Sequence, residues 1–66
     1  MNRIKVIVSD ILERTKADQL IIIAQGTNYI YRGLPKNCPT YLLNEEVLEL
    51  KPIQDQFNFY LRITFE

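Results

Sequence analysis

Histidine and tryptophan are absent from these 66 residues, cysteine occurs once and glycine twice. Without histidine the chain lacks the side chain that titrates near neutrality and the commonest metal ligand. One cysteine, Cys38, forms neither an internal disulfide nor a cysteine-rich zinc site. As a nucleophile it would need a base, and no histidine is there to serve. Gly26 and Gly33 belong to no phosphate-binding loop, because neither GxGxxG nor GxxxxGK[ST] occurs. Charge of a dominant sign is also missing: eight Lys/Arg balance eight Asp/Glu. No global field therefore draws the chain toward nucleic acid or anionic membrane. The longest apolar run is the five residues Leu20–Ala24, against about 20 needed to span a bilayer. Charge interrupts the N-terminal apolar stretch at Arg3 and Lys5, so no signal peptide is read there. The expectation is a cytoplasmic protein with no membrane partner, no metal and no cofactor.

What is present is ordinary for a folded chain. Apolar residues make up 47% and charged residues 24%, too apolar for disorder. The length allows one domain, spanning residues 1–66. So small a core without disulfide or metal is marginal, and such domains often gain stability by association. A homo-oligomer is the expected state.

The pattern along the chain predicts an α+β fold: a small, mostly antiparallel sheet of four or five strands with one main helix, in the order β-α-β-β-(α)-β-β. Residues 3–8 (RIKVIV) alternate as a strand, and four β-branched residues in five positions favour it. A single helix running from residue 2 is the alternative. Ser9 is a good N-cap, with Asp10 and Glu13 in the first turns, so a helix is expected at about 9–16. Residues 19–25 (QLIIIAQ) are apolar on both faces, the mark of a doubly covered central strand. Gly26-Thr27-Asn28 turns the chain into a partner strand, Tyr29–Arg32, closed by Gly33. A loop with Pro35 and Pro39 follows, then a short helical turn through Tyr41–Asn44.

Residues 46–53 read as a strand with Leu48 and Leu50 inward and Glu49 and Lys51 outward. Pro52 has no N–H for a ladder, which puts this strand's end at a sheet edge or bulge. Residues 57–65 (FNFYLRITF) give the clearest signal. Phe57, Phe59, Leu61, Ile63 and Phe65 define an inner face; Asn58, Tyr60, Arg62 and Thr64 define an outer one. On this reading Phe59→Ala or Leu61→Ala costs about 2–5 kcal/mol.

Four groups of residues are candidates for function. Tyr29, Tyr31 and Arg32 with Lys36, Tyr29 and Tyr31 sharing one strand face and Tyr60 nearby on the outer face, would stack bases and contact phosphates of single-stranded nucleic acid. The plainer alternative is cross-strand tyrosine packing or an oligomer interface. Glu45, Glu46 and Glu49, with Asp55, form an acidic patch that would mimic phosphate, or simply a solvated run that Lys51 interrupts. Asp10 and Glu13, three apart on one helix face, with Asp18 nearby, would hold Mg²⁺ in a nuclease, or else complement the helix dipole. Cys38 reads as a bystander thiol.

The order "VSDILE", "QLIIIA", "QGTN", "YIYRG", a loop, "LLNEEV" and two closing strands ending in "YLRITF" resembles a class of very short uncharacterised proteins of phages and mobile elements in Gram-positive bacteria. The likeness covers about residues 8–65 and rests on pattern and on Gly26, Gly33, Leu42, Leu43 and Val47. It contains no catalytic motif, so it carries over no functional residue. It implies a setting in which small proteins antagonise host antiviral systems, anti-CRISPR proteins among them. An interaction protein that oligomerises and binds a host protein is thus the first expectation. A single-stranded nucleic-acid-binding module comes second and a metal-dependent nicking enzyme third.

Overall fold

The computed structural model describes residues 5–65. It contains helix α1 (Val8–Glu13), strands β1 (Leu20–Gln25) and β2 (Asn28–Gly33), two 3₁₀ turns (Pro35–Asn37 and Thr40–Leu42), and strands β3 (Val47–Gln54) and β4 (Phe59–Phe65). The four strands form one sheet in the order β2-β1-β4-β3. The α+β reading holds, with four strands and one helix. The sheet is mixed: β1–β2 and β3–β4 are antiparallel, while β1 and β4 run parallel at its centre.

The helix starts one residue earlier and ends three earlier than the sequence suggests. Ile7, not Ser9, holds the cap position, and its amide donates to Asp10 Oδ2 at 3.2 Å. An acidic side chain at the third helical position reaches back to the cap amide, so the dipole argument for Asp10 stands while the cap moves. Arg14 closes the last turn, and Thr15 Oγ1 donates back to Ile11 O at 2.7 Å.

Residues 3 and 4 of the expected first strand lie outside the described residues. Within the rest of it, Lys5 and Val6 have no regular structure, Ile7 makes an isolated antiparallel bridge to Glu46, and Val8 already belongs to α1. Val47 N–H donates to Val6 O at 2.7 Å and Val8 N–H to Glu45 O at 3.0 Å. These bonds tie the entry of the helix to the start of β3.

Register arranges the side chains in rows. Tyr31, Ile23, Ile63 and Leu50 stand in one row across β2, β1, β4 and β3; Gly33, Ile21, Leu61 and Pro52 stand in the next row on the same face. This face carries the core. Val8, Ile21, Ile23, Cys38, Leu42, Ile63 and Phe65 are buried together, with Ile11, Leu12, Tyr31, Leu43, Val47 and Leu61 packed against them. Cover comes from α1 and from the 3₁₀ segment that brings in Cys38 and Leu42.

That cover is short. Six helical residues span about 9 Å, whereas a seven-residue strand such as β4 runs about 23 Å. The predicted inner face of β4 is therefore buried at one end only. Ile63 and Phe65 are covered, but Phe59 is 65% exposed and Phe57, which lies outside the strand, is 83% exposed. Leu48 and Leu50 are likewise exposed, at 54% and 45%, rather than inward. Pro52 does lie in an outer strand.

Candidate functional site

The tyrosine–arginine group does not form one surface. Ile23 pairs with Tyr31 but Ala24 pairs with Tyr29, and the register shifts between them. One strand thus has an extra residue, Ile30, between two rows. A bulge of this kind breaks the two-residue alternation, so side chains two apart end on opposite faces. Tyr31 stands on the helix-covered face, where its hydroxyl donates to Leu34 O at 2.6 Å. Burial raises its pKa, with Cys38 adding to the effect. Tyr29 stands on the opposite face in the row Tyr29, Ala24, Thr64, Glu49. Lys36 is exposed on a 3₁₀ turn and lines a 400 Å³ depression with Ser9, Leu12, Glu13 and Leu43, on the helix side.

Arg32 and Tyr60 share Tyr29's face. Arg32, Ile22, Arg62 and Lys51 form a row across all four strands, and Tyr60 follows Leu20 and precedes Ile53 in the next. The exposure of Tyr60 is only 8%, so its ring is part of the structure rather than a free stacking platform. The uncapped face nevertheless keeps Ile22 and Ala24 buried. Ile22 lies between Arg32 and Arg62, whose aliphatic stems can cover apolar surface while their charged ends stay wet, and Ala24 lies between Tyr29 and Thr64.

The sequence reading missed Arg62 and Lys51 as partners of Arg32. Only the register of three strand pairings places these cations in one row, and no spacing along the chain announces it. Arg62 is partly neutralised: its Nη2 donates to Glu49 Oε1 at 2.9 Å. The Tyr29 hydroxyl and Glu49 together raise its pKa further. Gly26, Thr27, Tyr29, Glu49, Arg62 and Thr64 line a shallow depression of 330 Å³ over this pair.

The acidic patch is divided. Glu49 accepts from Arg62 through Oε1 while its side chain stays 58% exposed, and Glu46 pairs with Ile7 beside Glu45, whose carbonyl accepts the Val8 amide. Asp55 lies at the far end, in the β3–β4 turn. There its Oδ1 accepts the amides of Phe57 at 2.8 Å and Asn58 at 2.7 Å. Those two amides hold its carboxyl below the usual range, helped by the Tyr60 hydroxyl and Arg32. Asp10 is occupied with the Ile7 amide. Among the described residues no three of Asp, Glu, Cys or His come together as a metal cage. Cys38 is buried, and burial pushes its thiol pKa up, away from the reactive thiolate.

The most distinctive surface is apolar. On the core face, beyond the reach of α1, Leu50, Pro52, Leu61 and Phe59 stand side by side across β3 and β4. A groove of about 480 Å³ runs there between the sheet and the segment after the helix. Its floor is Pro52, Phe59 and Leu61, and its rim carries Arg14 and Lys16. Phe57 projects from the adjoining turn. The alternation of residues 57–65 identified these side chains as a set but assigned them to the core.

No described helix is long and apolar enough to cross a membrane. Searches against protein-family models, curated proteins and solved structures found no match.

Proposed function

We propose that the chain is a non-enzymatic interaction protein that acts as a homo-oligomer and binds a host protein, in the manner of phage proteins that disarm host defence. The observation that supports this reading is the exposed pair Leu50 and Phe59 on the core face of β3 and β4, with Phe57 exposed in the adjoining turn. Contiguous apolar surface of this kind marks protein interaction sites. Aromatic anchors such as Phe57 and Phe59 are what interface centres favour. The basic rim of the groove, Arg14 and Lys16, suits a partner segment with acidic residues beside apolar ones.

The test is capture from a host lysate by the tagged wild type and by Phe57→Ser/Phe59→Ser. A host protein held in near-equal amount by the wild type and lost by the variant supports the reading. Identical captures by the two proteins refute it.

A second reading rests on the row Arg32, Arg62 and Lys51 on the uncapped face. Cations in the row beside exposed Tyr29 suit the backbone of a single strand. Fluorescence anisotropy with a labelled single-stranded oligonucleotide at low salt decides it. Binding that weakens in Arg32→Ala and falls steeply with salt supports it, and no binding at high micromolar protein refutes it.

A further inference from the structure

We infer that β3 is a self-complementary edge, and that a second copy of this chain adds to it antiparallel about a two-fold axis through Leu50, joining two four-stranded sheets into one of eight strands. The inference rests on the oligomeric part of the proposed function and names its surface.

Three observations carry it. First, β3 is an outer strand eight residues long. Val6 and Ile7 occupy its outer side at the start, opposite Val47 and Glu46. The register then shifts between Val47 and Glu49, and from Leu50 to Gln54 no described residue adds a further strand.

Second, the backbone sets which residues pair outward. Pro52 lies opposite Leu61 in β4 but has no N–H to give it. The ladder to β4 therefore runs through Lys51 and Ile53, and by alternation Leu50 turns its N–H and C=O to the open edge. A two-fold at Leu50 sets these groups against the same groups of the partner, making two hydrogen bonds.

Third, the same axis matches the side chains. Glu49 falls opposite the partner's Lys51 and Lys51 opposite the partner's Glu49, while Leu50 meets the partner's Leu50 on the other face. Moving the axis by one residue either way sets Glu49 against Glu49 or Lys51 against Lys51. Like charges directly opposed are unfavourable. Of these three registers, only the one centred on Leu50 opposes unlike charges and sets Leu50 against its own copy.

The edge tolerates a probe. Leu50 is 45% exposed, so Leu50→Lys is compatible with the fold, which circular dichroism verifies. Sedimentation of the full chain is expected to give twice 7.8 kDa, and Leu50→Lys with an unchanged spectrum is expected to give 7.8 kDa.

In a Cys38→Ala background, Leu50→Cys should oxidise to a disulfide dimer. The Cα separation of a hydrogen-bonded antiparallel pair, about 5.5 Å, lies within disulfide range. Glu49→Cys and Lys51→Cys should cross-link when mixed and not when each is oxidised alone. A dimer that survives Leu50→Lys and forms none of these disulfides places the interface elsewhere. That result overturns the inference and leaves the interaction reading standing. A full chain that is monomeric, with its Leu50 amide protected from hydrogen exchange, means that the chain's own N-terminal residues take the edge, which also overturns it. A monomer with that amide unprotected removes both the inference and the oligomeric part of the proposed function.

Discussion

Phe59 and Ile63 lie four residues apart in β4, on the face that the sequence pattern assigns to the core, and the structure gives them opposite fates. Ile63 is wholly buried at the centre of the row Tyr31, Ile23, Ile63, Leu50. Truncating a buried isoleucine to alanine costs about 2–5 kcal/mol, the lost transfer energy plus the cavity left behind. A domain of this length has total stability of about 3–10 kcal/mol, at roughly 0.05–0.15 per residue. Ile63→Ala should therefore lose a large share of the total stability and shift the urea midpoint strongly downward. Ile63→Val, at about 0.5–1.5 kcal/mol, stays measurable. Phe59 behaves differently. About a third of a ring worth roughly 200 Å² is covered, some 70 Å², or about 1.8 kcal/mol at 25 cal/mol/Å². Alanine keeps part of that contact, so Phe59→Ala should cost about 1 kcal/mol. The assay is urea unfolding followed by circular dichroism, at protein concentrations low enough that association contributes nothing. Equal losses for Phe59→Ala and Ile63→Ala would refute the placement of the helix over one end of the sheet.

Three further outcomes follow from particular contacts. Gly26 turns β1 into β2 at φ +59°, a conformation that costs a residue with a β-carbon about 1–2 kcal/mol, so Gly26→Ala should lower the melting temperature by several degrees. A β-carbon on Gly33 would meet the Tyr31 hydroxyl at 2.7 Å; Gly33→Ala should destabilise, and less so in a Tyr31→Phe background, as a double-mutant cycle would read. Asp55 has its pKa lowered in the folded state by the Phe57 and Asn58 amides. A depressed folded pKa gives stability that is present above the unfolded value, near pH 4, and lost as the pH falls through the folded one. Asp55→Asn should accordingly show a smaller drop in melting temperature between pH 5 and pH 2 than the wild type.

The sequence by itself determined the α+β class, the buried central strand and the position of Pro52. Each follows from local chemistry. A run apolar on both faces, Ile21–Ala24, takes a central place in the sheet, although only one face has a covering layer and Ile22 and Ala24 are buried among side chains of the neighbouring strands instead of under the second cover expected, and a residue without an N–H is confined to an open edge. Alternation in residues 57–65 likewise identified which side chains share a face. Tertiary structure decided the rest. A six-residue helix covers one end of a longer sheet, so Phe59 and Leu50 form a surface while Ile63 and Phe65 form the core. The bulge at Ile30 separates Tyr29 from Tyr31, and the parallel pairing of β1 with β4 sets Arg32, Arg62 and Lys51 in line. Periodicity along a chain records which residues point together; it does not record how far the covering layer reaches or how neighbouring strands slide into register.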